Sequence, residues 1–338
     1  MAALSPGHTA VSRLEALLMR EPVFHTLSSL CPKALAAEAE AGLLAPQAHC
    51  HPKLFYDALG SHLFDAITEL DEYDLRRTEA AALAMHQEAL GRALRACLPQ
   101  QPCLIDLGAG SCAKGEALFA LCDPGRYVAV DISVDFLRRS LQCLQRAHPE
   151  RELIGVGLDF SAELALPDSI SQPGSLVFYP GSSIGNFDPD SARRFLGQAR
   201  LLARGGALLI GVDLRKTPAE HQAAYDDALG VTAAFNLNLL RHLNRLLGAD
   251  FDPHQWRHRA LWNADLGRVE MHLEAQQALR VNWGGHQRGF AAGERIHTEN
   301  AYKWTVPDFE ALLHAVGWGQ AQAWCDPEER FAVFLASE

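Results

Sequence analysis

The middle of the chain alternates short, almost wholly apolar runs with segments in which apolar residues recur every three or four positions. Continuous apolar runs are typical of strands buried on both faces, and the amphipathic segments between them are typical of helices. The predicted strands are 103–107, 127–131, 152–158, 175–179 and 207–212, and the predicted helices are 114–121, 135–147 and 189–202. Strands that alternate with helices predict an α/β fold with a parallel sheet covered on both faces.

On either side of this core the pattern changes. Residues 1 to about 50 predict short helices and loops because prolines interrupt them, and residues 75–98 predict one long amphipathic helix. After Asp213 a helical pattern over 221–247 precedes alternating patterns that predict strands over 257–262, 268–275 and 277–281. A helix over 306–316 and a last strand over 331–335, antiparallel at a sheet edge, complete the prediction. We expect four units: a cap contributing to a substrate domain (1–60), a cofactor-binding core (61–213), a substrate-binding insertion (214–300) and a return to the core sheet (301–338).

The glycine turn after the first core strand carries the strongest chemical signal. Gly108 and Gly110 let the backbone approach a ligand closely, and Asp131 ends the next strand, where a carboxylate can accept the ribose hydroxyls of a nucleoside. A dinucleotide-binding turn needs a third glycine, yet the next one is Gly115, one position too late. The spacing favours S-adenosylmethionine (SAM), which has no phosphate, and an ordinary structural turn is the alternative.

Composition excludes other classes of protein. The 338 residues are 48% hydrophobic and 21% charged, with a formal net charge of −11. No apolar run is long enough to cross a bilayer, so we expect no membrane association. We expect no nucleic-acid partner either, because phosphate binding needs clustered Lys and Arg. The amino terminus lacks the pattern of a secretory signal, which predicts a cytoplasmic protein.

The cysteines and histidines predict no metal site. The eight cysteines are scattered without a metal-ligand spacing, and a disulfide framework is not indicated. His49, Cys50 and His51 form the one local cluster in the sequence, and no further ligands accompany them at helical or strand spacing.

Four polar segments hold more aromatic and polar residues than packing requires. The first contains Tyr56 and Tyr73, for which the alternative is a pair of partly buried core tyrosines. Asn186 ends a loop of small residues beside the cofactor turn, where we expect it to reach the reacting centre. Tyr225 lies on a predicted helix and is expected to point inward. Glu299 is either a surface carboxylate or a buried acceptor for a cationic or imidazole-bearing substrate.

These segments follow one another in a single order from about residue 50 to 336. They are Phe55-Tyr-Asp57, Gly60-Ser61, Glu72-Tyr73, Arg77-Thr-Glu79, Gly181-Ser-Ser-Ile-Gly-Asn186, Ala224-Tyr-Asp-Asp227, Phe235-Asn-Leu-Asn-Leu-Leu-Arg-His-Leu-Asn244, Glu270-Met271 and Thr298-Glu299. In this order they resemble the SAM-dependent histidine Nα-methyltransferases of ergothioneine biosynthesis. The resemblance implies a Rossmann-like methyltransferase core with an added α+β substrate-binding domain, and three successive methyl transfers to the α-amine of free histidine.

The resemblance also implies roles for individual residues. Tyr56, Tyr73 and Asn186 would be catalytic, and the substrate would be bound by Tyr56, Tyr73, Asn186, Tyr225, Met271, Glu299 and Ala301. The cofactor would be bound by Gly108, Gly110, Lys114, Asp131, Asp159 and Phe160. Where the family usually has a serine this chain has Ala301, so a hydroxyl expected to hold the imidazole is missing. A lost hydrogen bond of this kind costs about 1–3 kcal/mol, so we expect Ala301 to lower the affinity for histidine by about tenfold or more.

Two alternatives stay open from the sequence. An enzyme of the same fold could methylate another small molecule, such as a thiolated histidine derivative or tryptophan. The chain could also be a SAM-binding module without catalysis that serves as a regulatory partner. In the favoured interpretation the partner is a free amino acid, and the Ala-rich helices are compatible with a monomer.

Overall fold

The computed structural model describes residues 21–27, 32–161 and 163–338, which form one large sheet, two small sheets and the helices around them. The strands, in chain order, are β1 Val23–Thr26, β2 Cys103–Leu107, β3 Arg126–Asp131, β4 Glu152–Gly157, β5 Leu176–Tyr179, β6 Ala207–Asp213, β7 Trp256–Asn263, β8 Arg268–Ala275, β9 Leu279–Trp283, β10 His286–Phe290, β11 Arg295–Tyr302, β12 Gln320–Cys325 and β13 Phe331–Ser337. The α-helices are α1 Pro32–Leu44, α2 Ala58–Ile67, α3 Leu75–Met85, α4 Gln87–Cys97, α5 Ala113–Ala117, α6 Phe119–Cys122, α7 Val134–Ala147, α8 Pro189–Ala203, α9 Pro218–Tyr225, α10 Val231–Leu247 and α11 Val306–Ala315.

The large sheet has eight strands in the order β1-β4-β3-β2-β5-β6-β13-β12. Neighbours from β1 to β6 are parallel, which confirms the predicted core. The last predicted strand, β13, is antiparallel to β6 as expected. Its predicted position at the sheet edge is wrong, because β12 pairs with its outer side. The short, half-exposed β12 was not predicted, since its Gln-Ala-Gln-Ala start carries little apolar signal.

Both faces of the large sheet are buried because successive side chains point to opposite faces. On one face, Leu104 and Tyr127 belong to the core that includes α4 and α7. On the other, Ile105 and Val128 belong to a second core that includes α8 and α11. Every residue of β2, β5 and β6 is buried, which explains why these strands are continuous apolar runs.

Three predicted helices are each two helices in the structure. The segment predicted as one helix over 75–98 breaks at His86, whose Nε2 lies 3.0 Å from the carbonyl oxygen of Cys325. The helix predicted over 221–247 breaks at Gly230, which has a left-handed φ of 74° that a continuing helix cannot contain. The helix predicted over 114–121 is divided at Leu118 into α5 and α6. The hydrophobic periodicity continues across each break, so the sequence pattern does not reveal where one helix ends and the next begins.

The N-terminal part adds a strand that the sequence did not indicate. Four residues form β1, which pairs in parallel with β4 at the edge of the large sheet. Helix α1 follows it, in agreement with the prediction of short helices before residue 50. The helices and loops predicted for residues 1–20 and 28–31 lie outside the described residues.

A second group of strands and helices follows β6. Strands β7, β8 and β11 form an antiparallel sheet, and β9 and β10 form a hairpin joined by Gly284 and Gly285, both with positive φ. Helix α10 packs against β7, β8 and α2. The predicted strands over 257–262 and 268–275 are confirmed, and the one predicted over 277–281 is shifted to β9. Strands β10 and β11 were not predicted. The four-unit division of the chain stays a prediction.

Candidate active site

The glycine turn after β2 has the backbone that its sequence predicts. Gly108 and Gly110 have φ values of 70° and 50°, in the left-handed region that disfavours side chains. The N–H groups of Gly108 and Ala109 donate to the carbonyl oxygen of Val130 at the end of β3. A Cβ atom at Gly108 would have the ring of Phe160, at 3.9 Å, as its one neighbour within 4 Å. The turn therefore leaves an open space beside the ends of β2 and β3.

Asp131 fixes the turn to the end of β3. Its two carboxylate oxygens accept the N–H groups of Gly110, at 2.9 Å, and Ser133, at 2.8 Å. Burial raises the pKa of this carboxyl group, while those backbone N–H groups oppose the rise. Each carboxylate oxygen has a second lone pair, so Asp131 can still accept two ribose hydroxyls. The turn and the carboxylate fit a nucleoside cofactor.

Lys114 and Glu79, a residue of the Arg77-Thr-Glu79 segment that was given no role from the sequence, connect the turn to the loop after β5. The Lys114 ammonium lies 2.5 Å from Glu79, whose other oxygen accepts the N–H of Gly181 at 2.8 Å. Glu79 is buried, and a Cβ at Gly211 in β6 would come within 2.2 Å of its carboxylate. Gly211 therefore makes room for Glu79. Lys114 is partly exposed and has further donors for an anionic group of a ligand.

Asp159 and Phe160, the remaining predicted cofactor residues, follow β4. The Asp159 carboxylate accepts from Ser161 and from the Lys53 ammonium, which lies 3.0 Å away and also pairs with Glu38 of α1. Although burial opposes the effect, these partners lower the pKa of Asp159. The ring of Phe160 packs edge-on against Tyr179 at 5.8 Å between centroids. The N-terminal segment thus contacts the edge of the candidate cofactor site.

A cavity with aromatic walls brings together six of the seven predicted substrate residues. Its lining includes the predicted Tyr56, Tyr73, Asn186, Tyr225, Met271 and Glu299, together with Phe64, Ile67, Leu75, Gly181, Ser182, Ser183, Ala224, Thr232 and Phe235. The seventh, Ala301, is buried but does not line the cavity; it lies beside Gly185, in the 3₁₀ helix that carries Asn186. The cavity therefore draws on five separate parts of the chain.

Aromatic rings set the shape of this cavity. Tyr73 and Tyr225 meet edge to face at 6.1 Å, and Tyr56 meets Phe64 at 5.6 Å and Phe235 at 6.0 Å in the same geometry. Phe64 and Phe235 were missed as site residues because a phenylalanine at helical spacing usually indicates packing alone. Their ring faces can accommodate a cation through the negative charge above and below each ring.

The position of Tyr56 depends on the N-terminus of α2. Asp57 caps this helix by accepting the N–H of Gly60 at 2.7 Å, and the same oxygen accepts from Asn238 of α10 at 2.8 Å. A Cβ at Gly60 would come within 1.7 Å of the carbonyl oxygen of Phe55, so only glycine fits there. The Asp-x-x-Gly spacing after Tyr56 is the sequence signal for this cap.

Burial dominates the electrostatics of the cavity. It raises the pKa of the Glu299 carboxyl group to about 8, although the Lys303 ammonium opposes the rise. Glu299 is buried, so it is not the surface carboxylate that the sequence left as one alternative. Burial also raises the pKa values of Tyr56, Tyr73 and Tyr225 well above 10. At neutral pH the three hydroxyls keep their protons, and the ligand-free Glu299 is largely protonated; a cationic or N–H-donating ligand favours its ionised form.

The other face of β8 and β11 holds a polar cluster that sequence reasoning did not single out. Glu270, His272 and His297 offer ligand atoms that lie within 4.8 Å of one another. The Glu270 carboxylate accepts from Arg268 and Asn263. Although burial opposes them, these partners lower the pKa of Glu270 to about 2. The sequence predicts no metal site. Measurement of the metal content of the purified protein tests that prediction.

The parallel sheet, the glycine turn with its closing carboxylate and the neighbouring aromatic cavity define a class of protein, the SAM-dependent methyltransferases of α/β fold. The family can be named as well. Residues 35–338 match the family described as histidine-specific, SAM-dependent methyltransferases, and the chain belongs to this family. SAM is therefore the cofactor, and the predicted family, fold, enzyme class and cofactor are confirmed.

Relatives in bacteria and fungi extend over most of the described chain. A histidine N-alpha-methyltransferase of Mycolicibacterium smegmatis is 38% identical over 311 residues, which cover 90% of this chain and 95% of the relative. The histidine N-alpha-methyltransferase of Mycobacterium tuberculosis is 36% identical over 313 residues, with the same coverage of 90% and 95%. Ergothioneine biosynthesis protein 1 of Schizosaccharomyces pombe is 32% identical over 263 residues, 74% of this chain and 34% of that protein. In the part of the chain that the structure describes, no helix is long and apolar enough to span a membrane.

Proposed function

We propose that this chain transfers methyl groups from SAM to the α-amine of free L-histidine, and that three transfers give the trimethylated betaine. The observation that carries the proposal is the cavity: Tyr56, Tyr73, Asn186, Tyr225 and Glu299 converge there from distant parts of the sequence. The cavity adjoins the cofactor site, because the Lys114 ammonium would lie 3.1 Å from a Cβ at Gly181, a residue of the lining. The names of the mycobacterial relatives support histidine as the substrate.

Glu299 and Met271 are proposed to receive the imidazole. The two residues are directly paired across β11 and β8, so their side chains lie on the same face of the small sheet. A buried carboxyl group can exchange a proton with imidazole, and the resulting hydrogen bond is strengthened when the carboxyl is ionised. Met271 supplies an adaptable apolar surface beside the ring.

Tyr56, Tyr73 and Asn186 are proposed to orient the amine. When bound, SAM supplies an electrophilic methyl group, and positioning of the neutral nitrogen lone pair contributes most of the rate. The pKa values of the tyrosines are too high for these residues to act as bases at neutral pH, so their hydroxyls hold the nitrogen rather than deprotonate it. The proton leaves through water. The aromatic rings stabilise the cationic product as its N–H donors disappear.

Product masses test this proposal. Purified protein and SAM are incubated in separate reactions with histidine, with a thiolated histidine derivative and with tryptophan. The masses of the products are then measured. We expect mass gains of one, two and three methyl groups on histidine, with the trimethylated form accumulating. Tyr56→Phe should slow transfer while SAM affinity, measured by calorimetry, stays unchanged. Preferential product from another amino acid would refute histidine as the substrate, and SAM binding without any product would favour a regulatory module.

The remaining parts of the proposal concern partners and location. We propose that the enzyme acts as a monomer in the cytoplasm on a free amino acid, without nucleic acid or membrane. The net charge of −11 supports the exclusion of nucleic acid. Sedimentation of the purified protein tests the monomer, since a stable dimer would have twice the mass.

A further inference from the structure

Lys303, which directly follows β11, is a buried lysine that reaches a residue of the cavity. Its side chain is 1% exposed, and its ammonium lies 2.6 Å from the Asp213 carboxylate and 3.0 Å from the Tyr225 hydroxyl. Asp213 ends β6 and Tyr225 ends α9, so three elements meet at this ammonium. Lysine is rarely buried unless it is paired, and here one partner is the neutral hydroxyl of Tyr225, a residue that lines the cavity.

Asp213 has a second cation that does not reach the cavity wall. Lys216 lies 2.9 Å from the other Asp213 oxygen and 2.6 Å from Asp74, which in turn pairs with Arg330 near the surface. Although burial opposes the effect, Lys303 and Lys216 together lower the pKa of Asp213. Lys216 therefore shares the carboxylate partner of Lys303, while Lys303 alone of the two donates to Tyr225. This difference separates the role of Lys303 in the site from its role in the ion-pair network.

The contact with Lys303 determines which hydrogen bonds the Tyr225 hydroxyl can make. An ammonium group only donates hydrogen bonds, so the Tyr225 oxygen must accept from Lys303. The raised pKa keeps the phenol protonated, so it retains one proton to donate. Among residues 21–27, 32–161 and 163–338, no side chain or backbone oxygen accepts that proton. Because Tyr225 lines the cavity, we expect a ligand bound there to accept this proton.

We propose that Lys303 is a positioning residue that makes Tyr225 a donor to the carboxylate of the amino-acid substrate. A donor backed by a positive charge binds an anion and repels an ammonium or a quaternary nitrogen. Lys303 and Tyr225 thereby select α-amino acids over the corresponding amines, and they set which end of the substrate lies at Tyr225. The proposal rests on the proposed function, since it names the group that binds the substrate carboxylate at the same site.

A double-mutant cycle tests the proposal through the KM for histidine. The variants are Lys303→Met, Tyr225→Phe, their combination, and the matched control Lys216→Met, which removes a cation from the same carboxylate. We expect Lys303→Met and Tyr225→Phe each to raise KM by about tenfold or more, the range for a hydrogen bond to a charged group. The KM of the double variant should be no higher than that of Tyr225→Phe alone, and Lys216→Met should change KM by less than about twofold. SAM affinity should stay constant throughout.

Histamine, which lacks the carboxylate, supplies the second readout. Its inhibition constant should be the same for wild type and Lys303→Met, so the preference for histidine over histamine shrinks in the variant. Two results would show that Lys303 acts only on stability. One is a KM increase in the double variant that equals the product of the two single increases, and the other is an equal loss of affinity for histidine and histamine in Lys303→Met. If Lys303→Met does not fold, the preference for histidine over histamine in Tyr225→Phe decides the matter, because the proposal requires its loss.

The wild-type control separates this proposal from the proposed function. A wild type that gives no product with histidine overturns histidine as the substrate, and the cycle is then run on the amino acid that is methylated and on its decarboxylated amine. If the wild type is active but the effects of Lys303→Met and Tyr225→Phe on KM are independent, only the proposed role of Lys303 is overturned.

Discussion

Replacing Glu299 with glutamine should stabilise the ligand-free protein, and the gain should grow with pH. The pKa of Glu299 is about 8 in the folded state, against an ordinary value of 4.5. The folded protein therefore binds this proton more tightly than the unfolded chain, so the contribution of Glu299 to stability is most favourable below pH 4.5 and is lost as the pH rises to about 8. Glutamine has nearly the same shape and no proton to lose.

The two pKa values give the size of the effect. A tenfold difference in proton affinity is worth about 1.4 kcal/mol, so the full gap between 4.5 and about 8 corresponds to roughly 5 kcal/mol. Between pH 5.5 and 8.5 the advantage of Glu299→Gln should grow by about 3 kcal/mol. With an unfolding entropy of about 2.1 cal/mol/K per residue, 338 residues convert this into a Tm difference that widens by about 4 °C.

Thermal unfolding of the ligand-free proteins across this pH range measures the effect. Glu270→Gln is the matched control from the neighbouring strand, because its carboxyl group has a pKa of about 2 and stays ionised throughout. This control should be destabilised by an amount that does not vary between pH 5.5 and 8.5. A Tm difference between wild type and Glu299→Gln that is constant or narrows with pH would refute the assignment of a protonated, buried Glu299.

Three further substitutions test the cavity and the cofactor turn. Ala301 lies two residues after Glu299 on the same face of β11, so Ala301→Ser should lower the KM for histidine by about tenfold; an unchanged KM in steady-state kinetics would show that a hydroxyl at this buried position outside the cavity lining does not reach the imidazole. Gly185→Ala places a Cβ 2.9 Å from the Tyr302 carbonyl oxygen and should displace Asn186, lowering kcat about tenfold or more. Gly197→Ala, with open space around it, is its control, and equal activities would contradict the argument. Asp131→Ala should weaken SAM binding by about tenfold or more in calorimetry, and unchanged affinity would remove Asp131 from the site.

Residues with a local signal were predicted well. Gly108 and Gly110 directly follow one apolar strand and Asp131 ends the next, so two short segments define the turn and the carboxylate that holds it. The cavity residues were found through their resemblance to a family, because no local pattern brings Tyr56 and Glu299 together. Their meeting depends on α2 packing against α10, and on α10 packing against β8, the partner strand of β11.

Strand β11 was missed for a physical reason. Its register against β8 shifts between His297 and Glu299, so the alternation of inward and outward residues is interrupted. Its inward face also carries Glu299, a polar residue where a strand pattern requires an apolar one. Lys303 and Glu79 were given no role from the sequence, because a charged residue indicates the surface unless its partner is known, and their partners Asp213 and Lys114 are distant in sequence.

The paired oxygens of Asp131 have a consequence for repeated turnover. The backbone N–H groups of Gly110 and Ser133 hold this carboxylate in place through contacts within the protein. In the proposed function, spent cofactor is exchanged for fresh cofactor at this turn with little reordering of the chain, while the cavity residues of β8, β11 and α10 hold the amino acid. Separate supports for the methyl donor and the amino acid suit the proposed transfer of three methyl groups to one nitrogen.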